Sequence, residues 1–529
     1  MPPLAPTLQT LLQKGYFPRE LPPPFKTDSY ANYAIARARG WSAHERSKWR
    51  RCVSHNLARP GGLRRPLKVP NPISHFVLAE LLANNWAEIR AHTWKRRLSA
   101  SRPYVLTNSS RSVIPRYHYG ELPRIRSLRR RGHKYLLSTD IDQFYPSIYT
   151  HAIPWALHTK ATCKTALTLP GRGATLLGNK LDKATQVMND GQTRGIPIGP
   201  DTSLVLAEIL LAAVDDGLID QFDPFVRGYR YVDDYELSFV TLSDAEKQLT
   251  ALQGLLGEYE LLVNPRKTSL IELPAPLQDN WSVDLSRFPI RDRAQPIGQR
   301  NDLIALFSKA LETAQQRPLE SVLRYAVARV ERLDVGARAW RTFQNCTLAA
   351  VTADSSTLAV ALGAMHEVST RGGHTVAQAP LRDVFESIIR IHAPRAQGSE
   401  VAWALWGALA WNVDLSAEAG ALVSEMDDNI VALLSMHAED RRLFPLGSLD
   451  KTKWDSLVNQ PDVLVSENWL LGYEANQQGW LHCPAVAADA IFSAMSASNI
   501  IFYDPAEGIP QFPLAARGMP GGRLPNYYA

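Results

Sequence analysis

Apolar and polar residues follow different patterns along the chain, and the changes in pattern mark successive elements. Residues 73–94 (ISHFVLAELLANNWAEIRAHTW) carry apolar side chains at helical spacing. Residues 135–142 (YLLSTDID) have the pattern of a buried strand. Residues 226–240 (VRGYRYVDDYELSFV) alternate apolar and polar positions around Asp233 and Asp234. This alternation predicts a β-hairpin with both aspartates at its turn.

The elements around this hairpin complete an α/β unit. Helices are predicted over residues 150–160, 202–219 and 243–259, and a short strand near 268–273. The apolar run TSLVLAEILLAAVDDGLI predicts that the second of these helices is buried on most sides. Glycine-rich residues 168–181 are predicted to form a loop.

After Pro276 the pattern becomes almost wholly helical. Short turns bearing Gly, Pro or Asp join the segments, which is typical of paired helices stacked as an α-solenoid, although no repeat is sharp enough to prove one. The predicted helices are 301–316, 318–333, 335–352, 356–370, 378–393, 400–413 and 418–438. We therefore expect an α+β fold followed by an all-α C-terminal domain.

The composition is that of an ordinary globular protein, whereas the distribution of charge along the chain points to a function. The 529 residues are 45% hydrophobic and 21% charged, which excludes wholesale disorder. Residues 1–139 hold 26 lysines and arginines against six acidic residues, whereas the rest holds 32 against 46. A basic front predicts polyanion binding. Arginines between residues 46 and 65, with Trp41 and Trp49 among them, suit phosphate contact and base stacking.

Cysteine spacing and hydropathy indicate the cellular compartment and argue against a zinc-binding, disulfide-linked or membrane protein. Cys52, Cys163, Cys346 and Cys483 lie far apart, so we expect buried thiols in a reducing compartment and neither zinc ligands nor disulfides. The apolar stretches are too short to span a membrane, and the N-terminal residues lack the pattern of a secretory signal. A soluble, cytoplasmic protein without a membrane partner is the expectation.

Three acidic residues are the strongest sign of chemistry. Asp140 ends the predicted strand, and Asp233 and Asp234 follow 93 residues later at the hairpin turn. An aspartate pair by itself is more often a plain turn or helix cap. Here the surrounding residues are apolar, and burying such carboxylates without cations would raise their pKa values and cost stability. Two Mg²⁺ ions held between them would relieve that repulsion and could activate a hydroxyl nucleophile.

Four segments together carry a family resemblance. STDIDQFYPSI, RGIPIGPDTS, YRYVDDYELSF and LLVNPRKTS occur in this order, and over about residues 65–272 the chain resembles reverse transcriptases. Finer details, including KVPNPISHFVLAELLANNW and the long helical C-terminus, resemble bacterial abortive-infection and unknown-group reverse transcriptases of phage defence. The resemblance implies right-hand polymerase fingers and palm followed by a helical-repeat, HEAT-like domain. The expected boundaries are 1–65 (basic N-terminal extension), 66–275 (fingers and palm), 276–370 (linker and thumb-like helices), 371–504 (helical repeats) and 505–529 (Pro/Gly-rich tail).

The resemblance also implies roles for the acidic residues and a lysine. Asp140 and Asp233 would hold both metals with the carbonyl of Ile141, while Asp234 would support the metals or the primer. Lys267 matches the lysine that neutralises or protonates the leaving pyrophosphate, with a plain surface lysine as the alternative. Asp142 shares the face of Asp140 on an ideal strand, but the family pattern requires no acid there, so a structural role is the main expectation.

Further residues would contact the incoming nucleotide. Tyr145 occupies the position whose ring excludes a 2′-hydroxyl, although it could be an ordinary core aromatic. Gly195, Pro197 and Gly199 would shape the loop beside template and nucleotide, and Ile198 stands where many relatives have Gln, which puts ordinary template handling in doubt. Arg124 and Arg126 are candidates for gripping the triphosphate, with a solvated basic face as the alternative.

The resemblance implies an RNA-directed DNA polymerase that joins dNTPs with two Mg²⁺ ions. A dedicated non-coding RNA, repetitive or untemplated synthesis, a DNA product and a homo-oligomer are all compatible with it. Tyr527 and Tyr528 are candidate priming hydroxyls. The alternatives are a retron- or intron-derived reverse transcriptase with another role, and a non-catalytic RNA-binding scaffold with a vestigial palm.

Overall fold

A four-stranded antiparallel sheet forms the centre of the N-terminal half. A computed structural model describes residues 4–168, 175–222 and 227–507. The strands of the central sheet are β5 (Tyr135–Asp140), β6 (Arg227–Tyr231), β7 (Asp234–Phe239) and β8 (Ser269–Glu272). They lie in the order β6-β7-β5-β8. The predicted strand, hairpin and short strand are confirmed, but the hairpin turn is Val232–Asp233, so Asp234 begins the second strand.

Helices cover the central sheet, and further helices precede it in the chain. The two helices Pro72–Asn84 and Trp86–Thr93 occupy the stretch predicted as one helix. The helices before residue 130 are α1 (Leu8–Gln13), α2 (Asp28–Arg37), α3 (Ala43–Ser47), α4 (Pro72–Asn84), α5 (Trp86–Thr93) and α6 (Leu122–Arg129). Between the strands lie α7 (Phe144–Ser147), α8 (Ala152–His158), α9 (Lys160–Thr168), α10 (Leu177–Met188), α11 (Asp201–Phe222) and α12 (Leu242–Glu258).

One of these helices corrects a sequence prediction. Residues 168–181 were expected to be a loop, yet α10 begins at Leu177. Its buried face, which includes Leu181, Ala184 and Met188, supplies the apolar burial that outweighs the helix cost of Gly178. Helix α11 is buried on most sides, as its continuous apolar run predicts.

A hairpin near the N-terminus crosses an expected domain boundary. Strand β1 (Val53–Ala58) pairs antiparallel with β2 (Arg64–Val69), with Val53 opposite Val69. Strand β2 spans residue 65, where the basic extension was expected to end. A second pair, β3 (Pro103–Tyr104) and β4 (Ile114–Pro115), forms a small ribbon before α6.

The C-terminal half is helical, as predicted. The helices are α13 (Asn280–Arg287), α14 (Pro296–Gln316), α15 (Val322–Val330), α16 (Ala337–Ala353), α17 (Leu358–Gly372), α18 (Gln378–His392), α19 (Gly398–Trp411), α20 (Ala417–Ser424), α21 (Asn429–Asp440), α22 (Thr452–Val458), α23 (Trp469–Gln477), α24 (Pro484–Ala488) and α25 (Ala490–Ala497). From α14 to α21 each helix packs on the next one or the next but one. A HEAT-like repeat stays a prediction.

One predicted C-terminal helix is in fact two. Residues 418–438 are divided between α20 and α21, and Asp428 lies in the break. Its carboxylate accepts hydrogen bonds from the backbone N–H groups of Ile430 and Val431, which caps α21. It also lies 2.9 Å from Nδ1 of His55 on β1. The break therefore serves both helix capping and contact with the N-terminal hairpin.

The helical half packs directly against the β1–β2 hairpin. The guanidinium of Arg64 forms two hydrogen bonds, 2.7 and 2.6 Å, to the carboxylate of Glu400 on α19, which is 2% exposed. Arg51 pairs with Glu467 at 3.2 Å. Acidic residues of the rear thus neutralise basic residues of the front.

The remaining expectations from composition concern thiols and membranes. Cys52, Cys163 and Cys483 are buried, Cys346 is half-buried, and none forms a disulfide. Within the described ranges, no helix has the length and hydropathy needed to cross a membrane. The tyrosines at 527 and 528 lie outside the described residues.

Candidate active site

Three aspartates meet at one end of the central sheet. Asp140 is the last residue of β5 and stands directly opposite Asp234, the first residue of β7. Residues directly opposite in an antiparallel pair project to the same face. Asp233 lies in the adjoining turn, and its carbonyl accepts a hydrogen bond of 3.3 Å from the N–H of Ile141. The sheet register therefore brings together residues 93 positions apart.

The carboxylates repel one another. Burial, followed by the charges of Asp234 and Asp140, raises the pKa of Asp233 to about 8. Crowding by surrounding protein and the charge of Asp140 raise the pKa of Asp234 to about 6, although this residue keeps a solvent-accessible face. Desolvation is the first cause of both shifts and repulsion between the carboxylates adds to it, so a cation in this site would stabilise their charged forms.

The two carboxylate oxygens of Asp140 differ in their hydrogen-bond partners. The carboxylate is almost fully buried, and its Oδ2 accepts a hydrogen bond of 2.5 Å from Nζ of Lys267. Its Oδ1 is buried without a hydrogen-bond partner in the described structure. A buried carboxylate oxygen without a donor is costly, and a hard divalent cation is its natural partner.

These observations test whether Mg²⁺ fits. Across the described ranges, no group of three His, Cys, Asp or Glu side chains is already arranged as a metal cage. The unpartnered Oδ1 of Asp140 and the raised pKa values of Asp233 and Asp234 nevertheless fit oxygen-ligated Mg²⁺. Ile141 is fully buried between these residues, and its carbonyl stays a predicted ligand.

Lys267 reaches the aspartates from the turn before β8. The backbone N–H of Asn264 donates to the carbonyl of Asp140 at 2.7 Å, which fixes this turn beside β5. Burial would lower the pKa of Lys267, but its hydrogen bond to Asp140 and the charges of the three aspartates raise it. The lysine side chain is 57% exposed, so its ammonium can reach both Asp140 and a ligand from solvent.

Tyr145 and the glycine-rich loop are joined by backbone hydrogen bonds. Tyr145, on α7, is 7% exposed and packs edge-on against Phe144. Its carbonyl accepts a hydrogen bond of 3.0 Å from the N–H of Ile196, and Gly195 N–H donates to Ile148 at 2.8 Å. The predicted loop of Gly195, Pro197 and Gly199 is thereby joined to the tyrosine turn.

Glycine is required at one end of this loop. Gly199 has φ 132°, and a Cβ there would lie 2.4 Å from Cγ of Pro18. Arg111 donates to its carbonyl at 3.0 Å and also to Phe17, so the N-terminal segment holds the loop. Ile198 is buried and its carbonyl accepts from Lys68 N–H at 2.9 Å, which ties β2 to the same loop.

The two arginines predicted to grip a phosphate group are engaged elsewhere. Arg124 is exposed and pairs with Glu121 at 2.9 Å. Arg126 lies 2.8 Å from Glu236 and 3.1 Å from the hydroxyl of Tyr229. Arg126 is therefore held against the sheet, and both roles stay predictions.

Arg59 is a candidate site residue that the sequence interpretation did not single out. It lies at the end of β1, and the charges of Asp140, Asp233 and Asp234 act on it together. Burial and the neighbouring Arg65 lower the pKa of Arg59, whereas the three aspartates raise it. The RPGGLRR segment, a glycine turn between basic residues, is the signal that could have identified it.

A buried ionic network supports the aspartate hairpin. Arg230 of β6 has no exposed surface, and it contacts Asp215 and Glu208 of α11 at 2.8 Å each. Its guanidinium also donates to the carbonyl of Val232 at 2.9 Å. Val232 has φ 55°, a strained value for a β-branched residue, and its N–H donates to Ser101 Oγ at 2.6 Å. The network holds the turn from both sides.

Several basic residues predicted to contact nucleic acid bind protein instead. Arg46 pairs with Glu80, Arg50 is buried against Glu45, and Arg64 binds Glu400. Trp41 packs on Phe76, whereas Trp49 remains 57% exposed. Charge density alone could not separate these structural arginines from surface ones.

Comparison with known proteins identifies one domain. Residues 93–297 match the family model described as "Reverse transcriptase (RNA-dependent DNA polymerase)", and a reverse transcriptase domain is therefore present. No curated protein matches the chain.

Among solved structures, the chain is similar to apo telomerase from Candida tropicalis. The identity is 12%, covering 77% of this chain and 73% of that one, with a TM-score of 0.32. It is also similar to telomerase from Candida albicans in complex with a fragment of telomeric RNA, at 13% identity, 71% and 69% coverage and a TM-score of 0.30. These scores are too low to carry an argument.

Proposed function

We propose that this chain, with its reverse transcriptase domain over residues 93–297, is an RNA-directed DNA polymerase that acts in bacterial antiphage defence. The convergence of Asp140, Asp233 and Asp234 with Lys267 at one end of the central sheet is the observation that carries the catalytic part. A vestigial scaffold has no need for crowded carboxylates with raised pKa values.

The proposed reaction joins a dNTP to a 3′-hydroxyl and releases pyrophosphate. Two Mg²⁺ ions, held by Asp140, Asp233 and the Ile141 carbonyl with support from Asp234, would lower the pKa of the hydroxyl and neutralise the phosphates. Lys267, whose side chain is more than half exposed, would donate a proton toward the leaving pyrophosphate.

The nucleotide pocket follows from the surrounding residues. Tyr145 would close the floor beneath the sugar, and the Gly195–Gly199 loop would form the wall beside the template base. Arg59 is proposed as a further cation for the triphosphate, since the charges of all three aspartates act on it. Arg124 and Arg126 remain the second choice because carboxylates already engage them.

Templating is tested by the nucleic acid that accompanies the protein. Purified protein with its co-purified nucleic acid, Mg²⁺ and labelled dNTPs should yield DNA, and RNase pretreatment should abolish it if the RNA is the template. Sequencing the product distinguishes copying from repetitive or untemplated synthesis. Protease sensitivity of the product's mobility would reveal protein priming, for which Tyr527 and Tyr528 are candidates.

The defence role is tested in cells. A phage plating assay with the wild-type gene and with Asp233→Asn should show protection that depends on the aspartate. Protection by the variant would favour the RNA-binding scaffold. Synthesis without protection would favour a retron- or intron-derived enzyme. A homo-oligomer, also proposed, is tested by light scattering on the full chain.

A further inference from the structure

Arginine and aromatic side chains alternate in a column between the end of α5 and the start of α6. The guanidinium carbons of Arg90 and Arg102 lie 4.8 and 4.7 Å from the ring centroid of Trp94. Arg116 lies 4.6 Å from the ring of Tyr104 and 5.1 Å from that of Tyr117. The rings of Trp94 and Tyr104 are 6.2 Å apart. We call Arg90, Trp94, Arg102, Tyr104, Arg116 and Tyr117 the arginine–aromatic column.

The column differs in charge balance from the basic residues beside it. Lys95 and Arg96 pair with Asp216 on α11, and Arg96 also pairs with Asp220. Within the described parts of the chain, no carboxylate lies within ion-pair distance of Arg90 or Arg116. Their positive charge is therefore available to an outside anion.

The backbone connects the column to the aspartate hairpin. Arg116 N–H donates to the carbonyl of Arg102 at 2.9 Å, and Ala100 N–H donates to the carbonyl of Arg230 on β6. Beyond Tyr117, the ring of Tyr119 packs edge-on against Tyr231 at 6.0 Å. Tyr231 adjoins the turn that carries Asp233. A ligand lying along the column would thus be guided toward the carboxylates.

We propose that the arginine–aromatic column binds the sugar–phosphate backbone of the RNA template or of the RNA–DNA product. Stacking fixes the guanidinium planes of the half-buried Arg90 and Arg116, so that their N–H groups are oriented before a phosphate arrives and little side-chain entropy is lost on binding. Arg102 is 6% exposed and donates to the carbonyl of Arg96, so it supports the ring of Trp94 and does not itself contact the phosphate. Because the arginines occupy ring faces, the column contacts phosphates and does not read bases. This inference rests on the proposed polymerase function and names a surface for its substrate.

Fluorescence anisotropy over a salt series tests the column without requiring catalysis. The probes are a labelled 20-nucleotide RNA and a 20-base-pair RNA–DNA hybrid, each titrated with the full chain. We expect the double variant Arg90→Gln, Arg116→Gln to weaken binding of at least one probe. The slope of log K against log salt should fall by about 1.4 for a single strand or about 1.8 for a duplex, reflecting two lost phosphate contacts. The probe that responds identifies the bound strand.

A control double variant and two single variants keep the result decisive. Arg382→Gln with Arg390→Gln removes the same charge from α18, where both arginines are exposed and already paired with acidic residues, and should leave the slope unchanged. The single variants Arg90→Gln and Arg116→Gln should each produce about half of the double effect. Unchanged slopes and affinities for both probes in the double variant would overturn the column. If that variant binds normally while Asp233→Asn abolishes synthesis, only the column fails and the polymerase assignment stands.

Discussion

Arg230 offers the most quantitative test of how the aspartate hairpin is held. Arg230→Met retains the length of the side chain but removes its charge and all its hydrogen bonds to Asp215, Glu208 and the Val232 carbonyl. Glu208 and Asp215 are 1% and 3% exposed, so the two carboxylates would remain buried without their cation. Breaking a buried ionic network in this way costs about 3–5 kcal/mol.

That cost is a large share of the total free energy of unfolding, which is about 5–15 kcal/mol for typical domains. Urea denaturation followed by circular dichroism measures it as a lowered midpoint. Ser99 and Ser101 also donate to Glu208, which limits the loss and places the expectation within this range. A loss below about 1 kcal/mol would refute the claim that the network is a buried, mutually dependent unit.

A triple variant separates stability from function. Arg230→Met with Glu208→Leu and Asp215→Leu removes all three charges together, and buried ion networks replaced by apolar residues are often neutral or stabilising. We expect most of the lost stability to return. DNA synthesis should stay impaired, because the hydrogen bond from Arg230 to the strained Val232 turn is still absent. Full recovery of synthesis would show that the turn needs no such support.

Three other substitutions test separate parts of the account. In steady-state kinetics, Arg59→Ala should raise the KM for dNTPs by about 10–100-fold, the effect of a lost charged hydrogen bond, while Arg124→Ala leaves it unchanged. A raised KM in Arg124→Ala and an unchanged one in Arg59→Ala would assign the triphosphate contact to Arg124 instead. Tyr145→Ala should relax discrimination against ribonucleotides in single-nucleotide incorporation, and an unaltered dNTP preference would remove Tyr145 from this role. Burial raises the pKa of Glu474 to about 8, so this carboxyl is protonated in the fold and ionised in the unfolded chain above about pH 4. Stability should therefore fall as pH rises from about 4 toward 8, and Glu474→Gln should flatten that slope in thermal unfolding; equal slopes would contradict the assignment.

The local elements around the aspartates could be predicted because their patterns are strong. Alternation over residues 226–240 fixed the hairpin, and a continuous apolar run fixed α11. The predicted turn was one residue too late because Asp-Asp is a plausible turn pair. The register with β5 instead places Asp234 inside the strand. Glycines in residues 168–181 concealed the start of α10 in the same way.

Long-range partners could not be predicted from one sequence. Arg230 and Glu208 look like ordinary charged residues until the fold buries both, and Arg59 gained its significance only when β1 met β2 beside the sheet. Residue type gave no sign of which arginines would find carboxylates. The chain brings Arg64 to Glu400 across more than 300 residues, and no local pattern encodes that meeting.

The charge asymmetry of the chain acquires a second meaning from these contacts. The basic front was predicted to bind a polyanion. In the structure, part of the rear neutralises part of the front through Glu400 and Glu467, and Asp428 contacts His55. Under the proposal above, Arg90 and Arg116 are among the arginines of the front that bind nucleic acid.

Incorporation of labelled dNTPs by Asp233→Asn tests the central claim most directly. Asp142→Asn is the matched control, since it makes the same chemical change at an exposed aspartate two residues beyond Asp140. With Mg²⁺ and co-purified nucleic acid, the account predicts DNA from the wild type and from Asp142→Asn, and none from Asp233→Asn. Equal synthesis by Asp233→Asn, or no synthesis by the wild type, would contradict the claim that these aspartates form the centre of a DNA polymerase.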